Sequence, residues 1–178
     1  MPQSGGIMKK TRAAIGSAAF FIAAPGTVTV LIPWLITDWE SRDLLPETLS
    51  WATPVLRAAG IALILAGSAV VINAFVRFVV NGLGTPAPVA PPEHLVVTGL
   101  YRHVRNPMYV GVLAVIIGEA LLLGRWELLV YAAIAFACMY TFVRGYEEPQ
   151  LRRQFGQEYE TYRAAVPGWW PRLRPWRP

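Results

Sequence analysis

The chain has 178 residues, the size of one domain, of which 54% are apolar and 15% charged. Soluble domains sit near ~45–50% apolar and ~25% charged, so the balance is that of a membrane protein. A net charge of +5 would allow a nucleic-acid partner, but the arginines flank apolar blocks rather than alternating with aromatics along a basic stripe, which argues against that class. Cys138 is the one cysteine, so no disulfide and no cysteine-based metal site can form. His94 and His103 are too few for a histidine-dominated centre, and no metal is expected.

A membrane span needs ~20 mostly apolar residues, within a range of ~17–25. Four blocks qualify: residues 13–36, 55–80, 108–124 and 126–143. The first follows Lys9, Lys10 and Arg12 as a signal peptide would, but its apolar run exceeds the ~7–15 residues of such a segment, so it is read as a span. Between the third and fourth lie only Gly124 and Arg125, which predicts a tight helical hairpin.

Lys and Arg in short loops set orientation. The N-terminal tail is basic. The loop after the first span sets Arg42 against Asp38, Glu40, Asp43 and Glu47. The loop before the third carries Arg102 and Arg105, and the C-terminal tail carries Arg144, Arg152, Arg153, Arg163, Arg172, Arg174 and Arg177. This alternation predicts a multi-pass protein of the cell (inner) membrane with both termini cytoplasmic. Trp34, Trp39, Trp51, Trp126, Trp169 and Trp170 fall near span ends, where interfacial aromatics belong. The expected fold is all-α and integral to the bilayer, one domain over residues 1–178. Its cytoplasmic segments, 81–107 and 144–171, meet at one membrane face.

The first cytoplasmic segment is rich in Gly and Pro up to Pro92, and such density makes a non-helical loop. Glu93, His94, Leu95 and Val96 then read as extended backbone packed on the bundle or against the edge of a ligand ring. In Arg102-His103-Val104-Arg105-Asn106-Pro107-Met108-Tyr109, Pro107 suits the first turn of the third helix and Asn106 its N-cap. A helix N-terminus attracts carboxylates and phosphates, and Arg105 adds charge there; lipid headgroups are the alternative partner. After the fourth span stand Glu147 and Glu148, a poor place for carboxylates because the helix C-terminus is itself negative. Either Arg144, four residues before Glu148, pairs with it locally or the acids hold a cationic ligand. Pro149 disfavours the α region at Glu148, which predicts a helix break there. Leu151, Phe155, Tyr159 and Tyr162 then mark an amphipathic helix. Inside the third span, Glu119 is a costly charge whose nearest sequence partner is Arg125. Asn73 and Arg77 share one face of the second span.

Gly99-x-Tyr101, Arg105-Asn106-Pro107-x-Tyr109-x-Gly111, Glu147-Glu148-x-x-Leu151, Phe155-Gly156-x-x-Tyr159-x-x-Tyr162 and Val166-Pro167 together resemble the isoprenylcysteine carboxyl methyltransferase family. Related phospholipid N-methyltransferases share the paired glutamates. The likeness covers about residues 82–171. It implies a helical membrane methyltransferase that uses S-adenosylmethionine (SAM) on a carboxylate, thiol or amine of a lipophilic or small amphiphilic substrate. It assigns cofactor contact to Glu93 through Val96, Tyr101, the Asn106–Tyr109 segment and Glu148, and substrate contact to Arg144. Asn106 and Glu93 depart from the family's usual histidines. Glu147 or Glu148 suits the SAM ammonium, and Arg105 with the helix N-terminus suits its carboxylate. A sterol-type membrane reductase using NADPH and a non-enzymatic lipid-binding protein are the alternatives.

Overall fold

A computed structural model describes residues 23–80, 95 and 97–177. Residues 13–22 of the first predicted span, and Glu93, His94 and Val96, lie outside them. Among the described residues the fold is helical without strands.

Helix α1 (Ala23–Thr37) contains a π segment, Thr27–Leu31, and stops where Asp38 turns left-handed. A short 3-10 turn, Glu47–Ala52, leads into α2 (Thr53–Val80). Helices α3 (Pro107–Leu123) and α4 (Trp126–Phe142) form the predicted hairpin. Its corner is Gly124, at φ +67°, whose N–H caps the Ala120 carbonyl. A Cβ on Gly124 would come within 1.9 Å of the Arg42 carbonyl oxygen. Gly124→Ala is therefore expected to lose on the order of 2–4 kcal/mol, left-handed strain and steric overlap together. The thermal midpoint of detergent-purified protein checks this.

Helix α2 packs antiparallel on α3 at two glycine crossings. Cβ atoms placed on Gly60 and Gly67 would fall 2.6 Å from the carbonyl oxygens of Gly118 and Gly111. In lipid, where apolar burial drives little, such close approach is how helices associate. Val71, Val112, Ile116, Ala132 and Ala135 fill the bundle core, joined by Val28 of α1. The outward faces are apolar and open: Leu65 is 66% exposed on α2 and Ile134 57% on α4. Among the described residues, two helical stretches, Glu47–Arg77 and Trp126–Ala165, are long and apolar enough to cross a membrane.

Two sequence expectations change. Arg125 does not pair with Glu119. It turns to the C-terminal end of α1, facing the carbonyls of Ile36, Thr37 and Glu40 at 3.3–3.4 Å, and pairs with Glu127. The negative end of α1 thus takes the cation, and Glu119 Oε2 stays buried without a hydrogen-bond partner among the described residues. Nor does the chain break at Pro149. A π turn, Val143–Glu147, carries α4 directly into α5 (Glu148–Ala165), with Glu148 helical at φ −60° and ψ −45°. The widened turn comes just before the proline, whose missing N–H falls in the first turn of α5. The real irregularity is Gly156, at φ +50°.

Candidate functional site

The site forms where the hairpin's open end meets α5. Tyr159, Tyr162 and Val166 make a second buried cluster there, packed against Leu95, Val97, Leu151, Phe155 and Trp176. The Leu151–Tyr162 stripe is thus the apolar face of α5, and it covers the loop before α3 rather than the bundle. The Tyr162 hydroxyl donates to the Tyr101 carbonyl at 2.7 Å. Burial pushes the Tyr101 phenol well above its ordinary range, with Tyr162 and Glu147 adding to the shift, so it stays protonated.

The C-terminal tail then doubles back along this loop. Arg105 N–H donates to the Pro167 carbonyl (2.9 Å) and Asn106 N–H to that of Gly168 (3.2 Å). Arg172 N–H donates to His103 (3.0 Å) and Trp176 N–H to Arg102 (2.9 Å). These bonds satisfy loop backbone that has no helix or sheet to do so.

The loop delivers Arg105 to Glu148. One guanidinium nitrogen donates to Glu148 Oε1 at 2.9 Å and to the Tyr159 hydroxyl at 3.0 Å, while Nε donates to the Val166 carbonyl. The other oxygen of Glu148 faces Arg144 at 3.3 Å and Arg163 at 3.5 Å. The local Arg144 pair therefore exists, but it is one of three around a carboxylate only 5% exposed. Glu147 has a separate partner: the Tyr109 hydroxyl donates to its Oε1 at 2.6 Å. Tyr109 also stacks on Trp169, which meets Phe136 edge-on and lies beside Tyr140.

Asn106 stands at the N-cap position, with Pro107 buried behind it. Its side chain makes no cap bond, because the backbone there sits at φ −117° and ψ 57°, and its Nδ2 is buried without a partner among the described residues. Tyr101, Arg105, Asn106, Tyr109, Arg144, Glu147 and Glu148 all gather at this end. Met108 is half-buried in the first turn of α3, and Leu95 serves the aromatic cluster. Arg77, held by Asn73 at 2.9 Å, closes the edge against Gly99, where a Cβ would lie 2.3 Å from its guanidinium carbon. Arg163 and Trp169 were not among the predicted site residues. The closing Val166-Pro167, which fixes where the tail turns back, is the sequence signal for Trp169, and Arg163 follows Tyr159 by one helical turn on α5.

Long helices with open apolar faces, capped at one end by a buried charged cluster, define a helical membrane protein with a polar site at its surface. Residues 55–158, more than half of the chain, match the phospholipid methyltransferase family model, and the chain belongs to that family. It is also 36% identical over 76 residues to a protein-S-isoprenylcysteine O-methyltransferase of Schizosaccharomyces pombe (strain 972 / ATCC 24843). That stretch covers 42% of this chain and 32% of the yeast protein. No solved structure matches the chain. The resemblance drawn from the spaced motifs thus agrees with both comparisons, and neither favours a reductase or a passive lipid-binding protein.

Proposed function

We propose that the protein is a SAM-dependent membrane methyltransferase acting on a carboxylate, thiol or amine of a lipophilic substrate. The reading takes four spans, 13–36, 55–80, 108–124 and 126–143, with both termini cytoplasmic, and segments 81–107 and 144–171 around the cofactor. The observation that carries it is the meeting of two motif segments 38 residues apart, Tyr109 with Glu147 at 2.6 Å.

The residues fit a zwitterionic ligand. Glu148 is neutralised by three arginines, so Glu147 is the better partner for an ammonium, held in place by Tyr109. Asn106 Nδ2 is a buried donor at the N-cap of α3, whose first-turn N–H groups have no acceptor within the helix, which suits a carboxylate. Glu93 through Val96, Tyr101 and Met108 complete the proposed cofactor contacts. SAM supplies an electrophilic methyl on a sulfonium. The chain's own task is alignment of the acceptor, which can be worth ~7–11 kcal/mol. Arg144, 49% exposed and tied to Glu148 from one nitrogen, has donors left to orient an anionic acceptor by a forked contact. The isoprenylcysteine O-methyltransferase relative supports a carboxylate of a prenylated compound as the first acceptor to try.

The test is purified protein with radiolabelled SAM and total membrane extract, and identification of the labelled product. Binding of NADPH but not SAM would sink the proposal. Arg144→Ala is expected to raise the acceptor KM tenfold or more, the loss of one charge-assisted contact, with SAM affinity little changed. Equal losses in both would remove Arg144 from the acceptor side.

A further inference from the structure

From Thr161 to the end the sequence holds Arg163, Arg172, Arg174 and Arg177 and no acidic residue. Large apolar side chains are interleaved with these charges and left open. Trp170 is 82% exposed and Leu173 97%, and Arg174 and Arg177 are exposed beside them. A tail free in water would not favour this arrangement, but a water–lipid boundary takes both kinds of side chain. The depth of the tail agrees. Trp169, next to Trp170, lies 5.0 Å from the ring of Phe136. Phe136 sits about 9 Å back along α4 from its end at Phe142. The chain at 169–170 therefore runs beside the apolar part of the bundle. Further along the tail, the N–H groups of Arg172 and Trp176 donate to the His103 and Arg102 carbonyls, and the Arg102 side chain donates to the Trp176 carbonyl at 2.6 Å.

We propose that residues 168–177 form a clamp that docks on an anionic lipid surface. Trp170 and Leu173 enter the boundary layer, Arg174 and Arg177 meet headgroup phosphates, and the strap of hydrogen bonds ties that docking to the loop from Gly99 to Asn106. The effect on ligand affinity rests on the methyltransferase reading above; the docking does not. An arginine near an anionic surface is worth roughly a fivefold shift, so the pair shifts the docked fraction on the order of 25-fold between neutral and anionic membranes.

The test uses the full chain in nanodiscs of phosphatidylcholine alone or mixed with phosphatidylglycerol. Trypsin cuts after Arg172, whereas Arg174 and Arg177 precede prolines and resist. Release of the peptide after Arg172, followed by mass spectrometry, is expected to slow at least tenfold in anionic discs. Arg174→Gln with Arg177→Gln should abolish the difference, and Trp170→Ser should speed release in both discs. Equal release in neutral and anionic discs overturns the proposal, as does protection that follows protein density instead of lipid charge, which marks contact between copies. SAM affinity is expected to tighten with lipid charge in the unmodified chain only. Protection without that change overturns the link to the loop, and protection with no SAM binding in any disc overturns the methyltransferase reading while the clamp stands.

Discussion

Glu148→Ala is expected to cost about 3–5 kcal/mol, the loss found when one partner of a buried ion pair is removed. The carboxylate is 5% exposed and faces three guanidiniums, of which Arg105 is itself only 12% exposed. Without it Arg105 keeps its bonds to Tyr159 and the Val166 carbonyl but has no counter-charge, and Arg163 and Arg144 add repulsion. For a chain of this size the thermal midpoint in detergent should fall on the order of 10 °C. Glu148→Gln, which keeps an acceptor, should fall less. The double variant Arg105→Leu with Glu148→Leu should recover part of the loss, since a buried pair replaced by apolar groups is often neutral. An unchanged midpoint for Glu148→Ala would mean that this cluster does not hold α5 to the loop. No ligand enters the measurement, so its result does not depend on what the site binds.

What the sequence made legible follows the reach of each interaction. The hairpin was readable because two apolar runs separated by Gly124 and Arg125 leave no other geometry. The Arg144 contact with Glu148 was readable because it spans four residues on one helix. Arg105 on Glu148 spans 43 residues, and a charge pattern alone names no partner at that distance. The break expected at Pro149 failed because a rule about one dipeptide ignores the π turn before it, which the tertiary contact of Glu147 with Tyr109 accompanies. Arg125 was assigned by nearness in sequence to Glu119, but the carbonyl end of α1 competes more strongly for it. The Pro- and Arg-rich tail reads as a loop, and only its backbone bonds to residues 102–106 reveal it as a strap.

Substitution of the crossing glycines is the other change expected to have a large effect. Gly60 meets Gly118, and Gly67 meets Gly111; each pair of positions is seven residues apart, two turns, so both lie on one stripe of each helix. What a new Cβ would strike is mainly backbone. On Gly118 it would lie 2.7 Å from the Gly60 carbonyl oxygen, and on Gly67 2.6 Å from that of Gly111. Side chains can rotate away, whereas a carbonyl in a helix cannot, so α2 and α3 must separate. Gly118→Ala is expected to lose about 1–3 kcal/mol, and Gly67→Ala with Gly118→Ala less than the sum, because one separation of the two helices relieves both crossings. Gly145→Ala is the control: a Cβ there meets nothing within 4 Å, and alanine's better helix propensity should leave the midpoint unchanged or slightly higher. Equal shifts at Gly118 and Gly145 would show that close approach is not what joins the helices. The site depends on the outcome, because α2 brings Arg77 against Gly99 while α3 carries Asn106 and Tyr109. If the site binds SAM as proposed, prying the helices apart should therefore weaken that binding with no change to any residue in the charged cluster.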